Sequence, residues 1–311
     1  MSTVSSVMRR ARALPIGYVY VLIAITGGSI ASVITKAALS DNVAPIPLLA
    51  SRLIVSAVLL WIVMGIFFRR RLQWDRRLLI GSFIAGTLNA ISLTAFYLGL
   101  AQIDASVATV LFSTNPVVVL ALLALTGIRP TRLDGIRAAL ALVGVMLLVG
   151  VSGQVSLGGA AWIMVTVVFY SLHLLAVQRL LKGYSTVQIT PLFITVMALW
   201  VNALQFLTTP TADWYNFTTN TWVMIGVLAV FSTVLARLAL TAGIQRIGSG
   251  QTALLTPVET LMAVTWAALF IGERLEWIQI VGGGLILFSA ALVLRRQSVA
   301  IAAIEAPDPG V

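Results

Sequence analysis

One segment of the sequence occurs twice in related form. Residues 101–134 read AQIDASVATVLFSTNPVVVLALLALTGIRPTRLD, and residues 244–276 read IQRIGSGQTALLTPVETLMAVTWAALFIGERLE. A second pair keeps the same order, with VITKAALSDNVAPIPL at residues 33–48 and AVQRLLKGYSTVQITPL at residues 176–192. The copies are offset by about 141–145 residues. The chain therefore consists of two related halves.

The composition is that of a membrane protein. Of 311 residues, 59% are hydrophobic and 10% are charged, whereas charged residues make up about 25% of an ordinary soluble domain. This excludes a soluble enzyme, a disordered tail and a nucleic-acid-binding module. The absence of cysteine excludes a disulfide framework and a thiolate metal site.

Apolar runs of about 20 residues are long enough to cross a bilayer as helices. They predict ten spans, at 17–39, 46–68, 77–101, 104–126, 133–151, 158–181, 187–208, 221–243, 250–271 and 276–295. Each half then holds five spans, an odd number, so the second half must be inverted relative to the first. Inverted repeats around a midplane site recur in secondary transporters. The predicted units are a basic tail at 1–16, five-helix repeats at 17–151 and 158–296, and a C-terminal tail at 297–311.

The distribution of basic residues predicts the orientation. Ten spans put both termini on one side, and 16 of the 20 basic residues fall on that side: Arg9, Arg10, Arg12, Arg69, Arg70, Arg71, Arg76, Arg77, Arg129, Arg132, Arg137, Arg179, Lys182, Arg246, Arg295 and Arg296. By the positive-inside rule both termini are cytoplasmic. The net charge of +10 is thus a topology signal and a contact to lipid headgroups, with no nucleic-acid partner. The preference for Arg over Lys suggests a bacterial source and hence the inner membrane.

Few polar residues fall deep within the spans, where an ionisable group costs about 2.5–3.5 kcal/mol on insertion scales. At 1.5 Å per residue, Glu259 lies roughly 13 Å and His173 roughly 12 Å from the inner face. Asn89 and Asn115 fall at comparable depth. Four polar groups from four helices at one depth suggest a central site.

Each ionisable candidate has two interpretations. Glu259 is either the partner of a substrate amino group or of a proton, or a structural partner of His173 or Arg237. His173 either titrates during transport or is a neutral ring held by a backbone carbonyl. Arg237 is either a carboxylate clamp or gate, or extends to the headgroups.

Helical spacing extends this set to neighbours on the same faces. The stripes are Trp162, Thr166, Tyr170 and His173; Glu259, Met262 and Trp266; and Asn89, Ser92 and Phe96. One interpretation is an amphipathic cavity suited to small organic solutes, and the other is ordinary packing between helices.

Residues that interrupt helices fall inside several spans. Prolines in a helix interior free backbone carbonyls and permit kinks, and in transporters such breaks line binding sites or act as hinges. The candidates for a hinge or a helix break are Gly27, Gly28, Pro116, Pro191 and Pro257. For the glycines, close helix packing is the alternative.

The sequence resembles the EamA-type members of the drug/metabolite transporter superfamily. The resemblance rests on Lys36, Pro47 and Arg52 in the first helical hairpin and on Pro257 with the IGERL motif at 271–275, within the ten-helix duplicated layout. It implies a bundle in which helices 1, 3, 4, 6, 8 and 9 surround a central cavity, with helices 5 and 10 peripheral. It also implies outward movement of small metabolites, and the chain is similar to amino-acid exporters, including the YddG-type aromatic amino-acid exporters. The first half departs from the pattern, because TGIRPTRLD lacks the acidic residue of IGERLE.

These observations favour a secondary transporter that exports small amphipathic metabolites, amino acids above all, by alternating access. No ATP-binding motif occurs, so no ATPase subunit is implied and gradients drive transport. No cofactor and no metal site are expected. The alternatives are a passive channel, an exporter of nucleosides or cationic drugs, and an intramembrane enzyme, although the single histidine has no evident catalytic triad.

Overall fold

The computed structural model describes residues 2–40, 43–68, 74–103, 105–127, 130–149, 156–208, 216–271 and 276–305. In this part of the chain the regular structure is helical, with one π-helical segment at Leu228–Leu235. The α-helices are α1 (Ser2–Ser40), α2 (Pro45–Phe67), α3 (Arg76–Leu100), α4 (Ala105–Phe112), α5 (Asn115–Leu125), α6 (Arg132–Val149), α7 (Leu157–Leu180), α8 (Thr186–Thr208), α9 (Thr219–Val227), α10 (Ala236–Leu255), α11 (Pro257–Ile271) and α12 (Trp277–Glu305).

Several of these helices have the length and composition of membrane spans. Among the described residues, five segments qualify: Pro45–Phe67, Arg76–Leu100, Leu157–Leu180, Thr186–Thr208 and Thr219–Leu255. Three shorter apolar stretches are Ile16–Ala31, Val110–Leu125 and Trp277–Leu292. The protein is therefore an all-helical, multi-pass membrane protein. Helix α1 begins at Ser2, so the region predicted as a separate tail at 1–16 continues this helix.

Helices α3 and α7 run antiparallel. Glycines on α3 let the two backbones approach closely. A Cβ atom at Gly99 would lie 2.7 Å from Ile163 Cδ1 near one end of the pair, and one at Gly81 would lie 2.7 Å from Leu181 Cδ2 near the other. Small residues at such interfaces are typical of membrane helices, where packing replaces the hydrophobic driving force.

Helices α1 and α10 form the corresponding pair and also run antiparallel. A Cβ atom at Gly17 would lie 2.6 Å from Ile247 Cγ2, and one at Gly27 would lie 2.9 Å from the Ala236 Cβ. Helix α1 opens the first half of the chain and α7 opens the second. The first helix of each half thus packs against the third long helical segment of the other half.

Helix α6 is joined to α12 by a close glycine contact and by a buried arginine. A Cβ atom at Gly144 would lie 2.8 Å from the Gly282 carbonyl oxygen. Arg137, which is 1% exposed, forms an ion pair of 3.1 Å with Asp134 and donates a hydrogen bond of 2.5 Å from Nη2 to the Leu292 carbonyl. The charge is therefore neutralised within the contact between the two helices.

The fourth and ninth predicted spans are each interrupted, next to Pro116 and Pro257, which were candidates for a helix break. A two-residue turn at 113–114 separates α4 from α5, and Thr256 separates α10 from α11. Pro116 and Pro257 follow these turns within the first two residues of the new helix. Proline is tolerated there because it has no N–H to donate and its φ is already helical.

The predicted joint between the eighth and ninth spans is helical instead. Helix α10 runs from Ala236 to Leu255 and kinks sharply at Gly248, where φ is 82° and ψ is 164°. Glycine adopts a positive φ without a steric penalty. The Ser249 amide after the kink donates a hydrogen bond of 2.7 Å to Gln178 Oε1 on α7, so α7 supplies the acceptor that the kinked backbone lacks.

Three of the five candidates for a hinge or a helix break do not interrupt their helices. Helix α1 runs through Gly27 and Gly28, because the missing side chains make room for neighbours, among them the Phe231 carbonyl oxygen at 2.7 Å from a Cβ at Gly27. Helix α8 runs through Pro191, the sixth residue of the helix, where Thr195 Oγ1 donates a hydrogen bond of 2.8 Å to the Pro191 carbonyl.

Candidate functional site

The two helix breaks place polar side chains at the start of new helices inside the bundle. Asn115 is the first residue of α5, and Glu259 lies in the first turn of α11. The N-terminus of a helix carries a partial positive charge and free backbone N–H groups. Asn115 is fully buried and donates a hydrogen bond of 2.9 Å from Nδ2 to Ser171 Oγ on α7. Its Oδ1 has no hydrogen-bond partner.

The carboxylate of Glu259 lies against α1 at Gly28. A Cβ atom at this glycine would lie 2.7 Å from Glu259 Cδ, so only a residue without a side chain leaves the carboxylate in place. Among the described residues, none donates a hydrogen bond to this carboxylate and none forms an ion pair with it within 4.0 Å. Glu259 is therefore a half-buried carboxylate without a direct partner.

Arg237 and Tyr170 face the same region from α10 and α7. The Tyr170 hydroxyl is in polar contact with the guanidinium of Arg237, and both groups interact electrostatically with Glu259. Arg237 follows Ala236, which packs on Gly27, and Glu259 packs on the adjacent Gly28. The nitrogen and oxygen atoms of Arg237 and Glu259 nevertheless stay more than 4.0 Å apart.

A second arginine, Arg52 of α2, reaches the helix that carries Arg237. Its Nε donates to Thr233 Oγ1 at 2.8 Å, its Nη2 to Ser232 Oγ at 2.8 Å and its Nη1 to the Tyr97 hydroxyl at 3.1 Å. Ser232 and Thr233 belong to the π-helical segment. Such segments are rare and occur frequently at functional sites.

From the sequence, Arg52 was named only among the residues that carry the family resemblance and was not placed at the site. A signal was present, because a basic residue seven positions after the start of α2 is roughly 10 Å into the span. The pattern could not show that its partners are hydroxyl groups 180 residues away. Lys36, grouped with Arg52 in the sequence, has its side chain outside the described residues.

A row of aromatic rings extends from Tyr170 in both directions. The ring centroids of Tyr170 and Phe112 are 5.5 Å apart, and those of Phe112 and Phe96 are 6.1 Å apart. On the other side the rings of Tyr170 and His173 lie 6.2 Å apart, and those of His173 and Phe193 5.5 Å apart. Phe96, Phe112 and Tyr170 are partly exposed, whereas His173 and Phe193 are buried.

His173 is satisfied by the protein itself. Its Nδ1 donates a hydrogen bond of 2.9 Å to the Ala85 carbonyl of α3, and the side chain is 1% exposed. This geometry corresponds to the interpretation of His173 as a ring held by a backbone carbonyl.

The remaining predicted residues are spread along the bundle. Asn89 is buried, and neither atom of its amide has a hydrogen-bond partner. Ser92 Oγ donates to the Thr166 carbonyl at 3.1 Å, which ties α3 to α7. Trp162 is 40% exposed near the start of α7. Trp266 Nε1 donates to Ser29 Oγ at 3.1 Å, which ties α11 to α1. The structure thus brings Tyr170, Arg237 and Glu259 within electrostatic reach of one another.

One end of the bundle is tied together by polar contacts. The Tyr184 hydroxyl, in the joint after α7, donates to Asp75 Oδ2 at 2.6 Å, and Asp75 accepts a hydrogen bond of 2.7 Å from the Leu78 amide at the start of α3. The hydrogen bond from Tyr184 is the main cause that lowers the pKa of Asp75 and raises that of Tyr184. Gln245 Nε2 of α10 donates to the Tyr184 carbonyl at 2.8 Å, so α3, α7 and α10 meet at this end.

The chemistry available is that of recognition. In the described part of the chain, no group of three or more His, Asp or Glu side chains could hold a metal ion. The site instead offers a carboxylate, a guanidinium, a phenol and aromatic rings, which suit a small solute with polar and apolar parts.

Comparisons with known proteins give the family. The model of the EamA-like transporter family matches residues 15–150 and again residues 157–295. The uncharacterized transporter YcbK of Bacillus subtilis (strain 168) is 25% identical over 206 residues, which are 62% of this chain and 64% of that protein, so the match spans less than two thirds of the relative. A solved crystal structure has the same fold, with a TM-score of 0.74 at 16% identity over 95% of this chain and 99% of that one. Because the family model matches both halves, the chain belongs to the EamA-like transporter family of the drug/metabolite transporter superfamily.

Proposed function

We propose that this protein is a secondary transporter that exports small amphipathic metabolites by alternating access, with amino acids, including aromatic ones, as its substrates. The observation that carries the proposal is the convergence of Tyr170, Arg237 and Glu259 beside two interrupted helices. Discontinuous helices at corresponding positions of two repeats are a feature of transporter binding sites.

The proposal includes ten spans arranged as two inverted repeats, 17–151 and 158–296, around a central cavity. The helix pairs support this arrangement, because α1 packs on α10 as α7 packs on α3. Helices α2 and α8 occupy the same position in each half and pack on each other, as do α6 and α12. In the proposed arrangement, a two-fold axis in the membrane plane relates the members of each set, and one repeat rocks against the other about it.

The proposed location is the inner membrane of a bacterium, with both termini in the cytoplasm. The bias of Lys and Arg toward one side supports this orientation. Under it, the end of the bundle that contains Asp75 and Tyr184 faces the cytoplasm. Transport runs on solute or ion gradients.

Counterflow in proteoliposomes tests the proposal. Vesicles preloaded with one amino acid should accumulate labelled L-phenylalanine transiently, and Glu259→Gln should reduce the rate by about tenfold, corresponding to ~1.4 kcal/mol. Glu276→Gln is the matched control, since Glu276 is an exposed residue before α12. Unchanged counterflow in Glu259→Gln would remove Glu259 from the mechanism.

The same assay separates the alternatives. A passive channel shows neither saturation nor counterflow, because it has no binding site that opens alternately to the two sides of the membrane. A panel that adds nucleosides and cationic drugs to amino acids distinguishes the substrate classes. Failure of every solute to show counterflow would reject the transporter proposal.

A further inference from the structure

We propose that Arg237 and Glu259 bind the two charged ends of a zwitterionic substrate, with the substrate carboxylate on Arg237 and its ammonium on Glu259. This assignment rests on the proposed transport of amino acids. It adds the two residues that bind the carboxylate and the ammonium of the substrate. It predicts that the protein binds a zwitterion more tightly than the corresponding acid or amine.

The first step of the argument is that two opposite charges lie close together in the bundle without pairing. Ala236, the neighbour of Arg237, packs on Gly27, and Glu259 packs on the adjacent Gly28. The two charged groups interact electrostatically, yet they form no ion pair within 4.0 Å. Unpaired charges in a low-dielectric interior are costly. Each group is partly exposed, so a solvent-sized molecule can reach it.

The second step is that nothing else in the described structure competes for either group. Glu259 has no hydrogen-bond donor among the described side chains, and Arg237 has the Tyr170 hydroxyl as its polar contact. A hydroxyl both donates and accepts. Tyr170 can therefore keep its contact with Arg237 or turn toward a bound ligand without leaving a group unsatisfied.

The third step is the direction of the charge gradient across the site. Arg52 donates hydrogen bonds to the hydroxyl groups of Ser232, Thr233 and Tyr97, and the first two belong to the π-helical segment just before Arg237. It interacts electrostatically with Arg237. The Arg237 side is thus the more positive, which favours an anionic group there, while the single carboxylate of the cluster attracts the cationic group.

The test compares three ligands of one shape. L-Phenylalanine carries both charges, 3-phenylpropionate lacks the ammonium and phenethylamine lacks the carboxylate. Binding of each is measured to purified full-length protein in lipid nanodiscs, for the wild type, Glu259→Gln and Arg237→Gln. Arg246→Gln and Glu276→Gln are matched controls, since Arg246 lies over the Tyr20 ring at 4.7 Å and Glu276 is exposed.

The expected result is a reciprocal pattern. Glu259→Gln should weaken the binding of phenylalanine about tenfold or more and leave that of phenylpropionate within about twofold. Arg237→Gln should weaken phenylalanine similarly and leave phenethylamine within about twofold, because each variant removes the charge that faces one end of the zwitterion. The measured quantity is the ratio of the affinities of two ligands for the same sample. A partly folded variant therefore still gives a valid ratio. Arg237→Lys, which keeps the charge, should retain the preference for a carboxylate.

The outcomes separate this assignment from the transport proposal. Equal losses for all three ligands in either variant, or no preference of the wild type for phenylalanine, would overturn the assignment. If phenylalanine does not bind while another solute class shows counterflow, the assignment is wrong and the transport proposal stands. If no solute shows counterflow, the transport proposal itself fails.

Discussion

Arg52 Nε donates a hydrogen bond of 2.8 Å to Thr233 Oγ1 and so joins α2 to the π-helical segment that lies just before Arg237. A π segment holds one extra residue per turn relative to an α-helix. Its loss would rotate the following residues by about 100°, the angle per residue of an α-helix. We therefore expect the contact to stabilise the orientation of Arg237.

We expect Arg52→Gln to weaken phenylalanine binding about tenfold, or ~1.4 kcal/mol, and to leave phenethylamine nearly unchanged. The reason is that the shorter Gln cannot donate hydrogen bonds to both Ser232 and Thr233. Arg237 then loses its position, and the contact with the substrate carboxylate is lost. Arg52→Lys should behave in the same way, because an ammonium lacks the planar fork of the guanidinium. Equal weakening of both ligands would mean that Arg52 only stabilises the fold.

Gly28→Ala should impair transport without destabilising the protein. Its Cβ would lie 2.7 Å from Glu259 Cδ, so the carboxylate must move away from α1. In the helix itself alanine is favoured over glycine by up to about 1 kcal/mol. Counterflow should fall while the thermal unfolding temperature in detergent is maintained or rises.

The matched control for this variant is Gly284→Ala in α12, because a Cβ there meets nothing within 4 Å. It should leave counterflow unchanged. If Gly28→Ala also transports normally, then the position of the Glu259 carboxylate is not important for the cycle.

Much of the helical layout could be predicted from the sequence. Apolar runs fix the positions of long helices such as α2, α3, α7 and α8, and Pro116 and Pro257 mark the two breaks. Gly27 and Gly28 show the limit of that reasoning. A glycine in a helix serves either as a break or as a point of close packing, and only the neighbouring helix decides which.

The site was predictable in part. Depth along a span identified Glu259, and helical spacing from His173 led to Tyr170, because both depend on one helix at a time. Spacing cannot reveal which way two helices turn toward each other. For that reason His173 was grouped with the site although it donates to Ala85, and Arg52 was left outside it although it reaches the segment before Arg237.

Asp134→Asn should destabilise the protein more than any surface substitution. It leaves Arg137, 1% exposed, without its charge partner, and breaking one side of a buried pair costs about 3–5 kcal/mol. The thermal unfolding temperature in detergent should fall, while counterflow per folded molecule at lower temperature should be normal. Glu276→Gln is a suitable comparison, since Glu276 is exposed. An unfolding temperature equal to that of the wild type would show that the ion pair with Asp134 does not stabilise the contact between α6 and α12.

Tyr184→Phe should remove a pH-dependent contribution to stability at the Asp75 end. The Tyr184 hydroxyl lowers the pKa of Asp75 below its ordinary 3.8, so the contribution is present above that value and is lost as the pH falls through the lowered pKa of the folded protein. Asp75 in turn raises the pKa of Tyr184 above its ordinary 10.0, so the contribution is also lost as the pH rises through that raised value. Unfolding temperatures of the wild type and Tyr184→Phe should therefore differ at neutral pH and converge in strong acid and strong base. A difference that does not change with pH would mean that Tyr184 acts through packing.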